Sequence, residues 1–114
     1  MVKKQYVPER GELVWTDFSP HRGHEQAGRR PAIILSSRRF NEEIGIALCC
    51  PITSKEKGYI FEVPIETQKV QGAVLTHQVR SLDWRTRGVE FAGKASEAVV
   101  EKVGMLVAKI AQGK

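Results

Sequence analysis

A chain of 114 residues with 41% hydrophobic content can bury one core and is too small for two domains. Lys and Arg total 18 against 13 for Asp and Glu, a net charge of +5. The first partner to consider is therefore a polyanion, with nucleic acid ahead of a membrane surface, because the charge is dispersed along the chain instead of riding on one amphipathic helix.

In chain order, residues 12–18 alternate, with Leu13 and Trp15 on one face and Val14 and Phe18 on the other, which predicts a strand with both faces to bury. Residues 19–29, rich in Gly, Pro, His and charge, are expected to form a long loop. Residues 30–36 follow as a buried central strand, with Pro31 near its start, where a missing N–H is tolerated. Residues 37–45 show no sustained period and read as a helical turn or loop. The apolar run 46–52 is another strand, whose pairing Pro51 should end on one side.

After a polar connection at 53–58, alternation over 59–65 predicts a strand with one exposed side. Gly72 closes a turn, residues 73–83 read as a longer extended stretch that contains His77, and 89–94 form a short strand. Val99, Val103, Leu106, Val107 and Ile110 then recur at helical spacing, with Ser96 as N-cap and Gly113 near the C-cap position. Gly104 within that helix implies a close approach, to the sheet before a second subunit. Short strands at close spacing followed by one helix predict a mainly antiparallel barrel of six or seven strands with a C-terminal amphipathic helix, all in one domain over residues 1–114.

The cysteines, Cys49 and Cys50, are adjacent and would face opposite sides of a strand, so they read as small buried residues with no disulfide between them. No run reaches the ~18 apolar residues of a membrane span, and residues 1–8 lack the ~7–15-residue apolar stretch of a signal peptide. A cytoplasmic protein without membrane contact is expected. There is no phosphate-binding Gly-Lys-Ser/Thr loop, no dinucleotide glycine motif and no zinc-type Cys/His spacing, so the expected chemistry uses neither metal nor cofactor.

The segment Gly23-His24-Glu25-Gln26-Ala27-Gly28-Arg29-Arg30-Pro31 is the most informative in the chain. A carboxylate, an amide and two guanidinium groups lie within six residues, beside glycines that let a ligand approach the backbone, a set suited to a phosphodiester. Read on its own it also fits a solvated loop in which Glu25 pairs with Arg29. This segment resembles the corresponding part of MazF/PemK-type toxins. The resemblance extends in order through Gly11-Glu12-Leu13-Val14-Trp15-Thr16-Asp17-Phe18, Pro31-Ala32-Ile33-Ile34-Leu35-Ser36, Cys50-Pro51-Ile52-Thr53, Lys57-Gly58-Tyr59-Ile60-Phe61-Glu62-Val63, Gln78-Val79-Arg80-Ser81 and Trp84-Arg85-Thr86-Arg87-Gly88.

The resemblance implies an SH3-like barrel of the CcdB/PemK type. It also implies a homodimeric, sequence-specific endoribonuclease that cuts single-stranded RNA without metal, leaving 2′,3′-cyclic phosphate and 5′-hydroxyl ends. The family's catalytic Arg and Thr fall on Arg30 and Thr53. A guanidinium stays protonated near neutrality and is a poor general base, so Glu25 is the first candidate for that role and His24 the second. An equal alternative for Glu25 is to orient Arg29 or Arg30.

RNA binding is expected from Arg29, Gln26, Ser54, Lys57, Gln78, Arg80 and Arg87, with Phe18 and Tyr59 as stacking candidates and Trp15 and Trp84 as core. A small acidic antitoxin is the expected protein partner. His77 departs from the acidic residue of better-known members, which bears on sequence preference. Rival classes are a CcdB-like gyrase-binding poison, which needs an aromatic, apolar C-terminal end that Ile110-Ala111-Gln112-Gly113-Lys114 lacks, and a noncatalytic RNA-binding barrel.

Overall fold

The structure, a computed structural model, describes residues 5–18 and 29–114, so the expected loop residues His21, His24, Glu25 and Gln26 lie outside the described residues. Strands β1 (Glu12–Asp17) and β2 (Arg29–Ile34) pair antiparallel, with Leu13 opposite Ile33 and Thr16 opposite Arg30. β3 (Ala47–Thr53) pairs with β2, and β4 (Glu62–Glu66) with β5 (Gln71–Leu75). β6 (Arg80–Leu82) and β7 (Glu90–Lys94) complete one seven-stranded antiparallel sheet, ordered β4-β5-β3-β2-β1-β7 with β6 added on β3. Helix α1 (Arg38–Ile44) follows β2, α2 (Trp84–Arg87) follows β6, and α3 (Glu97–Gln112) ends the chain.

The alternation of β1 sorts two cores onto opposite faces of the sheet. Leu13 joins Ile33, Cys50, Ile52, Val63, Val74 and Ala92, closed by Val100 and Val103 of α3. Because that cluster draws on both ends of the strand order, the sheet curls into a half-barrel around the helix. Val14 and Phe18 join Ala32, Ile34, Cys49, Leu82 and Trp84 on the other face. Adjacent Cys49 and Cys50 thus belong to different cores, and both are free and buried. Each fully buried aliphatic side chain contributes roughly 1.5–3 kcal/mol.

Pro51 does what its missing N–H requires. On its β2 side it stands opposite Ala32, while the other side of β3 pairs with β6 only at Ala47, Leu48 and Cys49 and with β5 only at Ile52 and Thr53. Ser96 caps α3 by accepting from the Val99 N–H, and Gly113 closes it in the left-handed conformation. No helix among the described residues is long and apolar enough to cross a membrane.

Four readings of the sequence are corrected. Residues Arg38–Ile44 form helix α1 rather than a single turn or loop, because the Ser37 hydroxyl caps it by accepting from Phe40 N–H and Gly45 supplies a left-handed stop. The strand expected from residue 59 starts at Glu62, since a turn with Glu62 N–H donating to Tyr59 O precedes it. Residues 73–83 are not one extended stretch: a 3-10 turn, Thr76–Gln78, divides β5 from β6 and holds His77, and the Thr76 hydroxyl ties it to Phe61 O at 2.6 Å. Gly104 makes no close approach to the sheet, because a Cβ there would meet only the Arg10 guanidinium, at an ordinary 3.6 Å.

Candidate functional site

At one end of the half-barrel, the start of β2, the end of β3 and the turn before β5 surround a cleft of ≈ 500 Å³. Arg29, Arg30 and Pro31 enter it from β2, Ile52 and Thr53 from β3, and Ser54 and Lys55 from the turn beyond. Trp15 of β1 and the segment Lys69, Val70, Gln71 complete the lining. Sheet register explains the convergence. Ala32 stands opposite Pro51, and continuing that register by two residues sets Arg30 across from Thr53. The strand on the far side of β2 sets Thr16 across from Arg30 as well.

Thr53 is held from two directions. Its Oγ1 accepts the Lys55 N–H at 3.0 Å, which folds the following turn back over it. Its backbone lies against β5, where Ala73 is its partner and Gly72, at φ 146, passes so close that a Cβ would fall 2.0 Å from the Thr53 carbonyl oxygen. Only glycine permits that approach. Arg30 is exposed, and its side chain makes no hydrogen bond or ion pair to any other described residue, so among these residues nothing holds its guanidinium away from a ligand. Arg29 is tethered, donating to Trp15 O at 3.3 Å and to the Glu90 carboxylate at 3.2 Å.

Four cationic side chains, from Arg29, Arg30, Lys55 and Lys69, meet at this cleft, and no carboxylate belongs to its described lining. Such a site stabilises anionic oxygens. It can place a planar fork of N–H donors and a hydroxyl on a single phosphate.

Of the residues singled out from sequence, Arg29, Arg30, Thr53 and Ser54 come together here, whereas Glu25 and Gln26 lie outside the described residues. Lys57 is exposed in the next turn, where its backbone N–H donates to the Glu62 carboxylate at 3.1 Å. Gln78 is exposed in the 3-10 turn. Arg80 stacks its guanidinium over Phe18, 4.8 Å from the ring centroid, and Arg87 donates to Asp17 O at 2.9 Å, so both lie beside the end of β1. Phe18 is 9% exposed beneath Arg80. Tyr59, Phe61 and His77 form a row of tilted rings, with centroids 5.2 and 4.1 Å apart and interplanar angles of 44° and 54°.

Sequence reasoning missed Lys55, Lys69, Gln71 and the exposed edge of Trp15. Lys69 and Gln71 flank a buried Val70 just before the obligatory Gly72, a weak signal that this turn packs against something.

Comparison with known proteins shows which chains this one resembles. The family model described as PemK-like, MazF-like toxin of type II toxin-antitoxin system matches residues 9–111. The endoribonuclease toxin MazF of Escherichia coli (strain K12) is 44% identical over 106 residues, 93% of this chain and 93% of that protein. The endoribonuclease toxin ChpB of the same strain is 40% identical over 108 residues, 90% and 91% of the two chains. The crystal structure of MazF from Deinococcus radiodurans superposes with a TM-score of 0.85 at 43% identity, covering 95% of this chain and 99% of that one. A MazE–MazF crystal structure from the same organism gives a TM-score of 0.88 at 42% identity over 96% and 100%.

Proposed function

This chain belongs to the PemK-like, MazF-like toxins of type II toxin–antitoxin systems, and from that premise we propose that it is an endoribonuclease that cuts single-stranded RNA at the cleft between Arg30 and Thr53. The observation that supports placing the cut in this cleft is that Arg30 and Thr53 both line it, beside three further cations and no described carboxylate.

In the proposed reaction the scissile phosphate lies between the Arg30 guanidinium and the Thr53 hydroxyl. The ribose 2′-oxygen bonds to phosphorus as the bond from phosphorus to O5′ breaks, leaving a 2′,3′-cyclic phosphate and a 5′-hydroxyl. One proton leaves the 2′-hydroxyl and another arrives on O5′. Negative charge on the equatorial oxygens peaks at the transition state, where fixed donors stabilise it most. Glu25 is proposed to take the 2′-hydroxyl proton, and Arg29, Ser54, Lys57, Gln78, Arg80 and Arg87, together with Gln26, to bind the flanking nucleotides.

The toxin's partner is an antitoxin, whose acidic segment would compete with RNA for the same cations. A homodimer in the cytoplasm is proposed for the working protein, and sedimentation equilibrium measures the first of these. Incubation of purified protein with single-stranded RNA in EDTA tests the central assignment. Discrete fragments with 5′-hydroxyl ends support it, and intact RNA carrying bound protein would favour a binding module instead.

A further inference from the structure

We infer that Trp15 is the platform on which the cleft seats a nucleobase of its RNA, an inference that rests on the endoribonuclease reading and deepens it.

The two tryptophans have different surroundings. Trp84 is 2% exposed, and its indole N–H donates to Asn41 O at 3.2 Å, so its whole ring serves the interior. Trp15 is only partly buried: it packs against the helix-side core, and the rest of its surface lines the cleft. Its indole N–H has no acceptor among the described residues, which leaves a donor for a ligand. Buried indole N–H groups usually find a partner, and an indole with one flank in the core and a free donor at a cleft is built for a planar, polar-edged guest.

The rest of the cleft agrees. Pro31, Ile52 and Val70 extend an apolar floor beside Trp15, while Arg29, Arg30, Lys55 and Lys69 supply its charge. A free phosphate would use the cations and leave the floor wet. Single-stranded RNA fits both features, because every repeat carries one anion and one flat base. Trp15 and Pro31 are cross-strand partners, and Thr16 and Arg30 are the next pair along. Successive side chains alternate between the faces of a sheet, so Trp15 and Arg30 leave it on opposite sides, and they meet only where both line the cleft at its end, an apolar ring and a guanidinium offered to one guest.

The test uses the full chain labelled with 5-fluorotryptophan, whose two fluorine resonances report separately, Trp84 serving as internal reference. The probe is a short single-stranded RNA pool of randomised sequence with 2′-O-methyl groups, which binds without being cut. Inorganic polyphosphate is the control that offers charge without bases.

The expected result is a shift of the Trp15 resonance by RNA alone. In cleavage of unmodified RNA at a temperature where the variant is folded, Trp15→Leu should raise KM about tenfold with a smaller change in kcat, and Trp15→Phe should recover most of the loss. Equal shifts from RNA and polyphosphate would overturn the inference, as would an unaltered KM in Trp15→Leu that melts like the wild type. If Trp15→Leu does lose stability, the fluorine shifts of the wild type decide. A wild type that shifts its Trp15 resonance with RNA but cuts none would defeat the nuclease reading and leave the platform standing.

Discussion

Thr16 stands directly opposite Arg30 across β1 and β2, and its fully buried hydroxyl has no hydrogen-bond partner among the described residues. An unpaired buried hydroxyl costs about 1–3 kcal/mol. Thr16→Val, which keeps the shape and removes the polar atom, should therefore raise the urea midpoint by the equivalent of about 1 kcal/mol, while Thr16→Ser should not. Cleavage by the Val variant is expected to stay within about twofold of wild type, because the hydroxyl touches no substrate group in the proposed reaction.

Arg30→Ala and Thr53→Val should each lower kcat by about 10²–10³, the usual cost of removing one donor from a transition-state oxyanion. For Arg30→Ala the melting curve should hardly move, since an exposed side chain with no partner among the described residues is worth within about 0.5 kcal/mol. Single-turnover cleavage measured beside thermal unfolding separates the two effects.

Gly72 links the fold to the site. A Cβ there would collide with the Thr53 carbonyl at 2.0 Å from a backbone already at φ 146. Gly72→Ala should cost about 2–3 kcal/mol and push β5 off Thr53. Cleavage should fall even at temperatures where circular dichroism shows the variant folded. Normal activity in a folded Gly72→Ala protein would mean that Thr53 does not depend on this contact.

The proton acceptor can be found from pH–rate profiles. If Glu25 accepts the 2′-hydroxyl proton, Glu25→Gln should lose about 10²–10⁴ in rate together with the acidic limb of the wild-type profile. Identical limbs and similar rates in both proteins would remove Glu25 from that role.

Burial pushes the thiols of Cys49 and Cys50 up to about 12. Arg80 partly offsets this for Cys49, whereas Cys49 itself adds to it for Cys50. A raised thiol pKa means that the folded state holds its protons longer than the unfolded chain. The stabilisation is complete below the unfolded value of 9.0 and is lost as pH rises from there towards about 12. Urea midpoints should thus fall between about pH 9 and 10.5, and less steeply in Cys49→Ala. Native protein should resist Ellman's reagent at about pH 8 and react at both thiols once unfolded.

Much of this architecture is legible in the order of the residues. The alternation of Leu13 and Trp15 against Val14 and Phe18 announces a strand between two cores, the adjacency of Cys49 and Cys50 separates them onto those cores, and Ser96 and Gly113 mark the ends of α3. Side-chain periodicity and capping chemistry are local properties, so local sequence carries them. The pair Arg30 and Thr53 comes from the resemblance to MazF/PemK-type toxins and not from such local signals.

What the tertiary structure alone decides is who meets whom. Periodicity says which face of a strand is buried but not which strand lies beside it, and register arises from packing between segments distant in the chain. For that reason Lys69 and Gln71 reach the cleft unannounced, His77 leaves its expected strand for a 3-10 turn tied to Phe61, and Trp15, read from sequence as core, turns one edge of its ring towards the site.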